Sequence, residues 1–312
     1  MDGRLQVFAG NSNPGLANAI MSTLEAPLGR ALLTSWDDGE TRVKLDENVR
    51  GSDVFVIQSM CQPVNQNLME LLLILDAVRR ASAARVTAVI PYYAYARQEK
   101  KTTGREPISA KLVANLLVTA GADRILTIDL HAAAIEGFFD IPVDHLRATP
   151  MLATHFRRKG IADPVIVSPD AGGVSRAEEF RRRSGGTLAI ISKEHPQPDE
   201  VDVLEMVGDV EGRNAIIVDD MVSTGETLLK ASEMLLSRGA LSVQTAIVHP
   251  VFAGAAQRDL AASPIERILV SDTIPVADGV LRDKIEVLTV APLLAEAIMR
   301  IHKDLSISAL FT

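Results

Sequence analysis

Short β-branched runs alternate with longer segments of helical period along nearly the whole chain, and that alternation leaves few architectures open. Strands separated by a helix lie side by side and parallel, because the helix carries the chain back across the sheet. The runs 5–9, 54–58, 86–90, 124–129, 165–168, 187–192, 215–219, 243–248, 267–271 and 285–290 read as strands. The segments 14–25, 66–83, 109–120, 149–159, 173–184, 225–238 and 291–303 set apolar residues three and four positions apart and read as amphipathic helices. The expectation is an α/β protein with doubly wound parallel sheets.

A chain of 312 residues exceeds what one core usually serves and suits two domains of about 150 each. The strands divide near 145–150, where IPVDHLRATP carries two prolines, so 1–146 and 147–303 are expected as domains and 304–312 as a tail. Each half contains an apolar strand ending in acid, Ile125 to Asp129 and Ile216 to Asp220, which hints at an old duplication. Acids outnumber bases by 40 to 32, and the resulting −8 repels a polyanion, so nucleic acid is not expected as a partner. Cys61 is the single cysteine, which excludes an intrachain disulfide and points to the reducing cytoplasm. The start, MDGRLQVFAGNSNPG, lacks a basic segment followed by an apolar one, and the apolar run Leu68 to Val78 is broken by Glu70 and Asp76. Neither an export signal nor a membrane span is expected.

The chemistry concentrates at strand ends, where open α/β sheets gather their ligands. In IIVDDMVSTGET, residues 216–227, an apolar strand runs into two acids and then a small polar turn that opens a helix. Backbone N–H groups beside a helix N-terminus hold a phosphate, and carboxylates just upstream accept from neighbouring hydroxyls. Asp219 and Asp220 are thus candidates for the 2- and 3-hydroxyls of a ribose, and Ser223, Thr224, Gly225, Glu226 and Thr227 for its 5-phosphate. An ordinary strand-to-helix turn with Thr224 as N-cap fits the same letters. Against it, paired acids at the end of a buried strand lose solvation unless a partner is supplied. Other strand ends contribute Arg97 and Gln98 after VIPYYAY, His131 after ILTIDL, Asp170 after VIVSP and Lys193 after LAIIS. Taken singly, His131 also fits a hydrogen-bonded strand-end histidine and Lys193 a solvated strand end.

The order of blocks resembles the ribose-phosphate pyrophosphokinase (PRPP synthetase) family. It includes WDDGE at 36–40, ENVRG at 47–51, NLMELLLILDA at 67–77, YARQ at 95–98, ISAKLVANLL at 108–117, DLH at 129–131, GFFDIPVD at 137–144, SPDAGG at 168–173, GDVEGR at 208–213 and DDMVSTGET. The resemblance implies two domains of the phosphoribosyltransferase type and transfer of the β,γ-diphosphoryl group of ATP to the 1-hydroxyl of ribose 5-phosphate. PRPP and AMP result, for nucleotide biosynthesis. Such a transfer asks a protein to align the attacking hydroxyl and to neutralise charge on the phosphates. Mg²⁺ is the implied cofactor, with His131 and Asp170 at the metal-contacting positions; this ion takes few protein ligands and keeps waters and phosphates.

By the same resemblance Lys193, Arg97 and the residue at 195, here His195, are catalytic, and Trp36, Asp38, Glu40, Arg97 and Gln98 contact ATP. An indole stacks on adenine, while acids reach its amine or ribose; alone, WDDGE is a polar turn. The segment EKKTTGREP carries Lys100, Lys101 and Arg105 with no apolar anchor, and reads either as a solvated loop or as a lid that excludes water from the phosphates. SISALF at 306–311 resembles the tail of the phosphate-activated members, which are homohexamers inhibited by ADP; Arg50, Ser82, Ser306, Ser308 and Phe311 are the implied effector residues. Packing of the tail on a neighbouring helix is the alternative.

Four positions depart from the family pattern. His195 stands where arginine is usual and loses a bidentate fork. Ser223 replaces an aspartate, exchanging a charge-assisted hydrogen bond of about 1.5–3 kcal/mol for a neutral one of roughly 1 kcal/mol. Ala134 and Glu136 replace two glutamines, and Glu136 brings negative charge toward the implied phosphate site. Two rivals follow: a phosphoribosyltransferase that consumes PRPP, and a noncatalytic subunit of a synthetase complex. Two full domains and the DLH and YARQ blocks argue against the first; retention of Lys193, Asp170, His131 and both loop acids argues against the second.

Overall fold

The structure is a computed structural model that describes residues 3–194, 203–277 and 279–310. The chain forms two compact units. One comprises Met1–Arg147, Thr273–Pro275 and Thr289–Thr312, and the other Ala148–Asp272 and Val276–Leu288.

In the first unit the order is β1 (Leu5–Ala9), α1 (Pro14–Leu24), β2 (Ala31–Ser35), β3 (Thr41–Leu45), β4 (Asp53–Ile57), α2 (Val64–Arg80), β5 (Arg85–Ile90), α3 (Ser109–Ala120), β6 (Arg124–Ile128) and β7 (Val143–Leu146). Five of these strands make a parallel sheet in the order β1-β4-β5-β6-β7. Every residue of β4 is buried, as a parallel strand covered on both faces requires, so beyond Asp53 its sequence VFVI is apolar without alternation. Helix α2 buries Asn67, Glu70, Leu71, Ile74, Leu75 and Val78, the three-and-four spacing of one face. Glu70 is tolerated there because its carboxylate accepts from Asn11 N–H and Nδ2 and from Gln58 Nε2.

Strands β2 and β3 form a separate antiparallel hairpin. They were not expected from the sequence: their residues are half-buried or exposed in alternation, which leaves no apolar run to read. Strand β7 was also not expected, since it has four residues, two of them Asp144 and His145.

In the second unit the order is α4 (Thr149–Lys159), β8 (Pro164–Ser168), α5 (Val174–Ser184), β9 (Thr187–Glu194), β10 (Val203–Val207), β11 (Asn214–Val222), α6 (Glu226–Ser237), β12 (Ser242–Pro250), α7 (Ala256–Ala262), β13 (Arg267–Ser271) and β14 (Ile285–Leu288). These strands form one sheet in the order β10-β9-β8-β11-β12-β13-β14. All neighbours are parallel except β10, which returns antiparallel along β9. Val165, Val167, Ala215, Ile217, Val243 and Ile247 fill the core on one face of the sheet.

The helix α8 (Ala291–His302) groups with the first unit, where it packs on α1. Its C-terminal end is held by Arg85, whose Nη2 donates to Ile301 O at 2.8 Å. Among the described residues no helix is long and apolar enough to cross a membrane.

Candidate active site

Strand β11 outruns its neighbour. Its pairing with β8 ends at Ile217 opposite Val167, whereas its pairing with β12 continues through Asp219 opposite Ile247 to Val222 opposite Pro250. The strand therefore runs on to Val222, past Asp219 where the sequence reading ended it, and both acids lie on the stretch where the β8 side has opened. Asp220 is buried and its N–H donates to Asp219 Oδ1 at 2.8 Å.

The partner that two such acids need is Arg176. Its Nη1 donates to Asp219 Oδ1 at 3.0 Å, and its Nη2 lies 3.3 Å from Asp220 Oδ1. Burial pushes the Asp219 carboxyl above its ordinary range and the neighbouring Asp220 adds to this, while Arg176 opposes them. Sequence reasoning missed Arg176, although a signal was present: it sits in the first turn of α5, where a cation faces the positive end of the helix dipole and is out of place without an anionic partner.

Beyond β11 the chain makes a tight turn into α6. The residue capping that helix is Gly225, not Thr224; its φ is +82°, and no side chain caps the first turn. The loop Ser223 to Gly225 is tied down from outside, with Phe252 N–H donating to Val222 O and Ala253 N–H to Ser223 O, both at 3.0 Å. A helix start capped by a residue without a side chain, next to two fixed carboxylates, places backbone donors beside acceptors.

Asp170 occupies the β8-to-α5 turn. Its side chain is exposed, and Oδ1 accepts from Gly173 N–H at 2.9 Å while Ser168 Oγ donates to its carbonyl at 2.7 Å. These two bonds fix the turn. Lys193 lies in β9, with Leu204 of β10 as its ladder partner; His195 lies outside the described residues.

In the first unit, Trp36, Asp38 and Glu40 share the tip of the β2–β3 hairpin. Trp36 N–H donates to Glu40 O at 2.8 Å, Glu40 N–H to Asp38 Oδ1 at 3.1 Å, and the Arg42 guanidinium lies 4.5 Å from the indole centroid. Trp36 is 52% exposed, so its ring is presented to solvent. Arg97 and Gln98 are exposed in the turn before α3, where Gln98 O accepts from Ala110 N–H at 3.3 Å and its side chain bonds Ser109. Further along this loop Glu106 accepts from the N–H groups of Thr102 and Thr103, which pulls its carboxyl down to about 2. His131 is exposed just after β6.

The implied effector residues fall in two places. Arg50 precedes Gly51, whose N–H donates to Ser82 O at 2.9 Å, so Arg50 and Ser82 lie on touching turns. Ser306 Oγ accepts from Ser308 N–H at 3.2 Å, and Phe311 lies outside the described residues.

Among the described residues no three His, Cys, Asp or Glu side chains converge as a metal cage. Asp170 and His131 are exposed, each on its own unit, and a carboxylate or an imidazole is a donor of the kind that an ion such as Mg²⁺ accepts beside waters and phosphates of its own.

Residues 5–121 match the N-terminal domain of ribose phosphate pyrophosphokinase, and residues 189–312 match the phosphoribosyl synthetase-associated domain. The ribose-phosphate pyrophosphokinase of Caldanaerobacter subterraneus is 50% identical over 309 residues, which is 99% of this chain and 98% of that protein. The ribose-phosphate pyrophosphokinase of Halalkalibacterium halodurans is 49% identical over 310 residues, again 99% of this chain and 98% of its own. Among solved structures, the phosphoribosylpyrophosphate synthetase of Mycobacterium smegmatis superposes with a TM-score of 0.90 at 42% identity, covering 96% of this chain and 99% of that one. The chain belongs to the ribose-phosphate pyrophosphokinase family.

Proposed function

We propose that the chain transfers the β,γ-diphosphoryl group of ATP to the 1-hydroxyl of ribose 5-phosphate, giving PRPP and AMP. The observation that carries this reading is the Arg176-supported acid pair running into the uncapped start of α6. It offers acceptors for two vicinal hydroxyls and backbone donors for a phosphate, in the order a pentose 5-phosphate needs.

In this reading Asp219 and Asp220 orient the ribose, and the N–H groups from Ser223 to Thr227 hold its phosphate. Trp36, Asp38, Glu40, Arg97 and Gln98 bind the nucleotide. As O1 gives up its proton to solvent and bonds to the β-phosphorus, the bond from that phosphorus to the oxygen bridging to the α-phosphorus breaks and AMP departs. Lys193, with Arg97 and His195, supplies positive charge to the nonbridging oxygens, where charge grows in the transition state. Asp170 and His131, the latter directly or through water, would hold Mg²⁺, which would add to the neutralisation of the phosphates. The protein acts in the cytoplasm as a homohexamer, with phosphate and ADP as effectors at Arg50, Ser82, Ser306, Ser308 and Phe311.

The test is to incubate the protein with Mg²⁺, ATP and ribose 5-phosphate, with and without phosphate, and to identify products. AMP and PRPP in equal amounts are expected. ADP as the product overturns the reaction assigned, PRPP consumption in the presence of a nucleobase supports a transferase, and no turnover alone but altered turnover of an active synthetase supports a regulatory subunit.

A further inference from the structure

The loop that carries His131 is closed at both ends on one imidazole. In the parallel β6–β7 ladder, Thr127 lies opposite His145 and Ile128 opposite Leu146. The backbone then leaves the sheet at Asp129, whose φ of +38° is in the left-handed region, and whose N–H donates to Leu146 O at 3.0 Å. The turn takes the Leu130 N–H out of the ladder, and it donates instead to His145 Nε2 at 2.8 Å. A peptide N–H is always the donor, so Nε2 is the bare nitrogen of the ring. In a neutral imidazole the proton then resides on Nδ1. That atom lies 2.5 Å from Glu136 Oε1, in the 3-10 helix Ala133–Phe138 that brings the loop back. His145 is 7% exposed; burial pulls its pKa below the ordinary histidine value, Glu136 resists, and Arg147 adds to the lowering, which favours the neutral ring.

We infer that His145 and Glu136 are positioning residues for the nucleotide-metal site: the ring, locked with its proton on Nδ1, clamps residues 130 and 136 and so fixes the backbone of His131 between them. The inference rests on the role proposed for His131. A carboxylate or carbonyl oxygen at 136 serves the clamp equally, because the ring needs only an acceptor there. An alanine at 136 frees Nδ1–H and lets the loop and the tautomer relax together.

Two measurements test this. Long-range ¹H–¹⁵N spectra of the metal-free protein, labelled in histidine, are expected to show His145 protonated at Nδ1 and bare at Nε2; a ring protonated at Nε2 overturns the clamp whatever the activity. Glu136→Ala is expected to lower both kcat and apparent Mg²⁺ affinity about tenfold, the range found for outer partners of metal-site residues. The KM for ribose 5-phosphate stays unchanged, and Glu136→Gln restores kcat. Unchanged kcat and Mg²⁺ dependence in Glu136→Ala, or equal loss in Glu136→Gln, overturns the positioning role. A His131→Ala protein with wild-type kcat overturns the role of His131 itself, an outcome separable from the tautomer result.

Discussion

Arg176 Nη1 donates to Asp219 Oδ1 at 3.0 Å, and both side chains are largely withdrawn from water. Two adjacent carboxylates on a buried strand repel each other and lose hydration, and a single planar cation reaching both relieves each effect. Removing it leaves the charges uncompensated. Arg176→Ala is expected to destabilise the protein by about 3 kcal/mol, as breaking a buried ion pair does. The KM for ribose 5-phosphate should rise because the acids lose their orientation. Arg176→Lys keeps charge without the fork and should fall between. Urea unfolding and initial-rate kinetics read both effects; wild-type stability and KM in Arg176→Ala would end the argument.

The carboxyl of Asp219 shows the opposite side of the same arrangement. Its folded pKa is raised by burial and by Asp220. For a carboxyl raised above its unfolded value of about 3.9, the folded state binds more protons in the window above that value, so stability falls as pH rises through it. At neutral pH the site is therefore held at a cost to the fold. Asp219→Asn should melt higher than wild type at pH 7, by roughly 2–4 °C for each kcal/mol relieved, and should bind ribose 5-phosphate more weakly. The advantage should shrink in acid. A lower melting temperature at pH 7 contradicts this reading of the pair.

His145 titrates with the reverse consequence. Its pKa is lowered by burial, so below an unfolded value of about 6.5 the unfolded chain takes up the proton more readily than the folded one. The contribution of the neutral ring is complete above pH 6.5 and is lost as pH falls toward the folded pKa. Melting temperature should drop between pH 7.5 and pH 5.5, and His145→Gln should show a shallower drop over that window. Parallel curves for the two proteins would assign the slope to other groups.

These groups also show where the sequence was legible. Buried parallel strands such as β4 and β5 are largely apolar beyond a charged first residue, and helices such as α2 carry their buried face at regular spacing, so pattern alone locates them. Strands β2 and β3 expose alternate residues, and the signal that marks a buried strand is absent. The acid pair and the glycine turn are contiguous in sequence and could be read directly. Arg176 is 43 residues from Asp219, and the two meet only because α5 and β11 are packed together. The Leu130–His145–Glu136 line likewise depends on the exit of β6 from its ladder at Asp129, which no local pattern encodes.

Asp53 and Arg85 secure the end of α8. Asp53 is fully buried, accepts from Arg85 Nε at 2.8 Å and from Nη2 at 2.7 Å, and lies 2.8 Å from His302 Nδ1. Arg85 also bonds Ile301 O and lies 3.2 Å from Asp304. One guanidinium thus ties the N-terminal ends of β4 and β5 to the end of α8. Arg85→Met is expected to cost about 3–5 kcal/mol, since it strands a buried carboxylate. Loosening should be greatest at α8, seen as faster amide exchange and proteolysis near Lys303. Asp53→Asn with Arg85→Met should recover part of the loss, because no buried charge is then left alone. Uniform loosening throughout the unit would argue against a local tether.

Gly225 sets the mouth of the turn proposed to hold the sugar phosphate. Its φ of +82° lies where a side chain is strained, and a Cβ there would sit 3.3 Å from Leu260 Cγ. The left-handed conformation costs a non-glycine residue about 1–2 kcal/mol, so Gly225→Ala either carries that strain or relaxes by rotating the first peptide of α6. Rotation turns the backbone N–H groups away from a phosphate seated at the helix start. The expected result is a stability loss of about 1–2 kcal/mol and a raised KM for ribose 5-phosphate, with little change in the KM for ATP. Equal increases in both KM values would mean that the substitution disturbs the unit as a whole. Unchanged KM for the sugar phosphate would mean that this turn does not hold it.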